Sequence, residues 1–360
     1  AALAAKTARP YLDATDPALR YSACFICGYA SLSLNRIADA RRCLTGILVT
    51  PADEESPAIH ATHILFASAA SVLLHLPSPY SAEEFYPLAA HLPEGLRLFA
   101  SYVMAHALYL RGEYGRSLGM AENALIMKQG SYPISELFLH LAASMACMSL
   151  KDIDAAKTHF GAAWNIARPD GLIELIGEHH GLLQGLIEAC LKSQYPDDFA
   201  RIIEITYRFS YGWRRIHNPD SGEDVADDLT TTEFTMAMLA CRGWTNAEIA
   251  RHMDVSPGTV KNRLSGVYAK LGIGTRAELV AHMFRNPALR SINLDILSLE
   301  RHYRHVAPSR KIGLFPPIPA GWEPKMLDRR SLLVAGASSL ASIMLPRVPG
   351  SANAFILPFA

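Results

Sequence analysis

The sequence predicts an all-α protein: a helical-repeat array, then a compact unit of four short helices, then an irregular C-terminal tail. Three observations carry this. Tyr11 to Arg215 is rich in alanine and leucine, with few strand-like runs. Within it, a turn flanked by two helical patterns recurs at a step of 39 residues, aligning Glu113–Tyr114 with Asp152–Ile153. Between Leu229 and Phe284, three helix-start signatures fall in one 56-residue window.

Those signatures are Thr230 before Glu233, Thr245 before Glu248 and Thr275 before Glu278. In each, the hydroxyl accepts from an orphan N–H and the glutamate reaches back to the cap. A fourth helix opens at Ser256 with Pro257 as its first residue, and Gly272 ends it. In that helix Val260, Leu264, Val267 and Leu271 form one apolar stripe. Gly258, Asn262, Ser265 and Ala269 lie opposite, with Lys261 and Arg263 on the flanks. A small, polar face edged by cations suits a DNA major groove. From Leu229 to Arg285 the net charge is +3, in a chain whose total is zero. The preceding helix, Asn246 to Met253, joins this one through Asp254 and Val255, which is a helix-turn-helix spacing.

This window resembles the LuxR/GerE-type DNA-binding domain of bacterial transcription regulators. The matching positions are Leu229, Thr230, Glu233, Leu239, Ala240, Gly243, Thr245, Asn246, Glu248, Ile249, Ala250, Val255, Ser256, Thr259, Val260, Lys261, Leu264, Tyr268, Lys270, Leu271, Gly272, Ile273 and Arg276. Thr232 departs from the family's usual arginine and Arg263 from its common histidine. Lys261, Asn262 and Ser265 are expected on base edges. Thr245, Asn246, Thr259, Arg263 and Lys270 are expected on phosphates. The resemblance implies binding to double-stranded DNA as a homodimer. The last helix would supply the interface through Ala277, Val280, Ala281 and Phe284.

Residues 11–216 read as stacked helix pairs. The clearest units are Leu108 to Leu125 and Met148 to Trp164, with a related shape at Ser33 to Gly46. Tyr80 with Phe85, and Tyr195 with Phe199, suggest further units. Ala121 and Ala124, or Ala156 and Ala163, let the second helix of a pair approach closely. The region resembles tetratricopeptide-like repeats, as found ahead of the DNA-binding domain in MalT-type regulators. An irregular all-α domain is the other reading. Either gives a groove for a protein or small-molecule effector.

Residues 217–228, HNPDSGEDVADD, read as an acidic linker. Residues 286–325 form a proline-containing extension. Residues 326–360 resemble a twin-arginine export signal: Arg329–Arg330, an apolar stretch to Leu345, then Ala352–Asn353–Ala354. Three readings stand for this tail: a docked helix, a membrane-contacting tail, or the start of another exported protein near Met326. The chain opens on alanine, which leaves room for an upstream domain.

No GxxxxGK[ST], GxSxG or HExxH motif is present, so neither catalysis nor a cofactor is expected. Cys24 and Cys27 form a lone CxxC in an apolar run, which reads as buried thiols rather than a metal site. His179–His180 reads as structural or solvated. The resulting expectation is a cytoplasmic, sequence-specific transcription regulator controlled through its helical domain. The alternatives are a helical-repeat scaffold without DNA binding, or a fragment of an ATP-dependent MalT-type regulator.

Overall fold

The computed structural model describes residues 1–49, 56–73, 79–217 and 229–284. Among these there are sixteen α-helices, one 3-10 turn (Arg9–Tyr11) and no strand. The helical domain comprises α1 (Ala2–Ala8), α2 (Pro17–Ser33), α3 (Ile37–Val49), α4 (Pro57–Val72), α5 (Ala82–Ala89), α6 (Glu94–Leu110), α7 (Tyr114–Met127), α8 (Pro133–Leu150), α9 (Ile153–Ala167), α10 (Ile173–Glu178), α11 (Leu186–Leu191) and α12 (Pro196–His217). Helical packing starts at Ala2, ahead of the expected Tyr11. Ala4, Ala5 and Ala8 of α1 pack on Ala23, Ile26, Cys27 and Ala30 of α2 and on Cys43 of α3. Cys27 and Cys43 are buried there, and Cys24 is partly buried.

The 39-residue step has a structural basis. Helices α6 and α8 begin at residues 94 and 133, and α7 and α9 at 114 and 153. Two- or three-residue turns force each pair antiparallel. Ala121, Ala156 and Ala163 are fully buried, so the backbones meet at alanine. Between pairs, the core is aromatic. Phe99 lies 5.5 Å from Phe138, and Phe138 lies 4.6 Å from Tyr102. Emptying such a site costs about 3–5 kcal/mol. After α9 the regular pairing stops, and α10 and α11 are only six residues each.

Helix α8 is long and apolar enough to cross a membrane, but 72% of that window is buried, as in a core helix. Pro133 starts it, and Ser135 donates to the Gly95 carbonyl at 3.0 Å, tying it to α6. It ends at Lys151, whose backbone is left-handed at φ 63°.

The second unit is α13 (Thr231–Cys241), α14 (Asn246–His252), α15 (Pro257–Leu271) and α16 (Arg276–Phe284). Its core of Met236, Leu239, Ile249, Val260, Leu264, Val267 and Leu279 is continuous with that of the helical domain. Residues 218–228 of the linker, the 286–325 extension and the 326–360 tail lie outside the described residues.

Candidate nucleic-acid interface

The local chemistry of the caps sets the positions of α13 to α15. Thr230 Oγ1 accepts from the Glu233 N–H at 3.3 Å, and Glu233 Oε2 accepts from the Thr230 N–H at 2.9 Å. Thr245 and Glu248 make the same reciprocal pair at 3.2 and 2.6 Å. Ser256 Oγ accepts from the Thr259 N–H at 3.0 Å and lies 2.8 Å from the Thr259 hydroxyl. The third expected box is shifted. The Thr275 hydroxyl accepts from the Glu278 N–H at 3.1 Å, but the Glu278 carboxylate takes the Gly274 N–H at 2.7 Å.

Between α14 and α15 the chain turns through Asp254, left-handed at φ 52°. The turn is closed by the Val255 N–H donating to the Ala250 carbonyl at 3.0 Å. On α15, Val260, Leu264 and Val267 are buried. Gly258, Thr259, Lys261, Asn262, Arg263, Ser265 and Ala269 are exposed, so the three expected base-facing residues share one open face.

Four of the expected phosphate contacts have partners inside the domain: the Thr245 hydroxyl donates to Glu248 Oε2 at 2.9 Å, the Thr259 hydroxyl lies against Ser256, and Lys270 and Asn246 are held by their own partners. Lys270 sits with its ammonium 2.7 Å from Glu233 Oε2, so a phosphate would share it with that carboxylate. Burial opposes the charge on Glu233. The hydrogen bonds from Lys270 and Thr230 outweigh it and hold the carboxyl below its usual range. Asn246 accepts through Oδ1 from Arg276 at 2.8 Å, and the other arm of Arg276 donates to the Trp244 carbonyl at 2.7 Å. The amide nitrogen of Asn246 is left as the donor for an anion. On α16, Ala277 is exposed and Val280 partly exposed. The side chains of Ala281 and Phe284 lie outside the described residues.

The sequence reading missed a seam between this unit and the helical domain. Arg242 reaches Ser149 Oγ at 2.6 Å and the Tyr109 hydroxyl at 3.0 Å. The Gln184 side chain donates to the same Ser149 oxygen at 3.1 Å. The Gln184 carbonyl accepts from His252 Nε2 at 2.9 Å, which requires the Nε2–H tautomer. Burial keeps His252 below its ordinary pKa, consistent with a neutral ring. Gln184 and Gly185 are both left-handed, at φ 53° and 87°. A Cβ on Gly185 would stand 3.0 Å from Thr235 and 3.1 Å from the His252 ring.

Comparison with known proteins agrees with the geometry. The family described as "Bacterial regulatory proteins, luxR family" matches residues 227–283. Residues 227–283 form a LuxR-family DNA-binding domain. An HTH-type transcriptional regulator of Mycobacterium tuberculosis is 46% identical over 52 residues, 14% of this chain and 6% of that protein. The transcriptional regulatory protein SgaR of Hyphomicrobium methylovorum is 40% identical over 58 residues, 16% of this chain and 28% of that one. The monoamine regulon transcriptional regulator of Klebsiella aerogenes is 33% identical over 72 residues, 20% of this chain and 32% of that one. The similarity thus spans less than a third, or about a third, of each relative's length. No solved structure matches the chain.

Proposed function

We propose that this chain is a cytoplasmic, sequence-specific transcription regulator that binds double-stranded DNA as a homodimer. One observation carries the reading: α15 presents Asn262 and Ser265 on an open face flanked by Lys261 and Arg263, with its apolar stripe buried. In this reading Lys261, Asn262 and Ser265 meet base edges. Thr245, Asn246, Thr259 and Arg263 meet phosphates, and Lys270 contributes from its pair with Glu233. Helix α16 pairs two copies through Ala277, Val280, Ala281 and Phe284. The helical domain, read as a tetratricopeptide-like stack, receives a protein or small-molecule effector.

The test is selection of bound duplexes from a random pool by the full chain and by Asn262→Ala. The full chain is expected to enrich one motif. The variant is expected to lose about 1–3 kcal/mol of discrimination at one position while keeping its thermal stability. An unchanged motif would refute the base-reading face.

A further inference from the structure

We infer that the helical domain lends a cation, Lys151, to the phosphate-contacting surface of the LuxR-type domain. This rests on the DNA-binding reading above and adds a contact from outside the matched domain.

The seam brings two chain segments to one edge. Ser149, near the end of α8, receives Arg242 at 2.6 Å. Lys151 follows Ser149 by two residues, and Thr245 follows Arg242 by three. Chain reach is at most about 3.6 Å per residue, so both lie within a short span of the Arg242–Ser149 bond. The Gln184 side chain and carbonyl fix the same edge from a second direction, through Ser149 and His252.

The backbone at Lys151 makes the residue type informative. It caps α8 at φ 63° and ψ 22°, where glycine has no Cβ penalty and lysine has one. Its N–H donates to the carbonyls of Cys147 and Met148, a task glycine performs equally well. The side chain is exposed and serves no part of the cap. A lysine at a glycine position puts a charge where the fold does not require one.

Electrostatics agree with this placement. The carboxyl of Glu248, which caps α14, is held below its usual range. The Thr245 backbone and hydroxyl hydrogen bonds are the main cause, and Lys151 and Arg251 add to it. The charge of Lys151 therefore acts on the edge of the LuxR-type domain. On DNA, that edge holds Thr245 and Asn246. Arg251, Lys261 and Arg263 of α14 and α15 are further exposed cations of the same domain.

The experiment uses the full chain and a fluorescein-labelled duplex of about 30 bp of mixed sequence, followed by anisotropy across a salt series. Lys151→Gly removes the charge and relieves the left-handed strain, so its melting temperature is expected at or above wild type. Its log–log salt slope is expected to be shallower by ~0.9, which is about eightfold weaker binding at ~0.1 M salt. Lys151→Arg is expected to keep the wild-type slope. If Lys151→Gly binds with the wild-type slope and affinity, the inference is overturned while the DNA-binding reading stands. If the wild-type chain binds the duplex at no salt concentration, both fail together.

Discussion

Arg242 is the residue whose loss should separate the two domains. Its guanidinium makes two hydrogen bonds across the seam, at 2.6 and 3.0 Å. Bonds from a charged donor are worth about 1.5–3 kcal/mol each, and partial exposure of Arg242 argues for the lower end. Arg242→Met keeps the apolar stem and removes both, so the expected loss is about 3 kcal/mol. That shifts the docking equilibrium by about a hundredfold. Ser149 and Tyr109 retain Gln184 as a partner, which limits the damage to the helical domain itself. Amide hydrogen exchange is the assay. Residues 182–188 and 234–252 should exchange about a hundredfold faster, while the cores around Phe138 and Leu264 keep their protection. Unchanged exchange across 182–188 would show that the apolar contacts and the His252–Gln184 bond hold the seam without Arg242, and would refute this assignment.

Three more outcomes follow from the geometry. Lys270→Met leaves the buried Glu233 carboxylate without its cation and should cost about 1–2 kcal/mol in urea unfolding at pH 7. Because the Glu233 carboxyl is depressed, that deficit should close as pH falls below the ordinary carboxylate value of 4.5; a deficit independent of pH would contradict the ion pair. Gly185→Ala puts a side chain on a left-handed residue and against Thr235 and His252, so about 1–2 kcal/mol should be lost; an unaffected melting curve would show that the seam is slack there. Burial pushes His179 down to about 4, against 6.5 for a free imidazole, so the unfolded chain binds its proton first. Its contribution is complete above pH 6.5 and is lost as pH falls toward 4, by about 3 kcal/mol. NMR titration of His179 against a His179→Asn reference would check this, and a midpoint near 6.5 would refute it.

What was legible in the sequence was local. The Thr230 and Thr245 boxes join residues three apart, so their chemistry can be read without a fold. The buried stripe of α15 is a periodicity. The 39-residue step was legible because short turns and buried alanines recur together. What escaped is long-range. Arg242 counted toward the DNA-facing charge, yet its partners lie 93 and 133 residues away. Nothing in its neighbours marks that role. Lys270 likewise looked like a surface cation until α13 brought Glu233 beside it, 37 residues earlier in the chain. The His179–His180 pair alone fits either a structural or a solvated role. His179 is buried, with Nε2 2.8 Å from the Tyr102 hydroxyl, a partner 77 residues away.

Helix α8 has a mechanical consequence. It is an 18-residue rod without an internal proline, about 27 Å from end to end. Its first turn is tied to α6 through Ser135, and its last turn carries Ser149 against Arg242. Such a rod turns small angles into large displacements. A 5° tilt about its first turn carries its far end by ~2 Å, enough to break hydrogen bonds of ordinary length. Whatever wedges α6 from α8 at the near end therefore levers directly on the seam, with no chain of intermediate side chains needed to relay the motion.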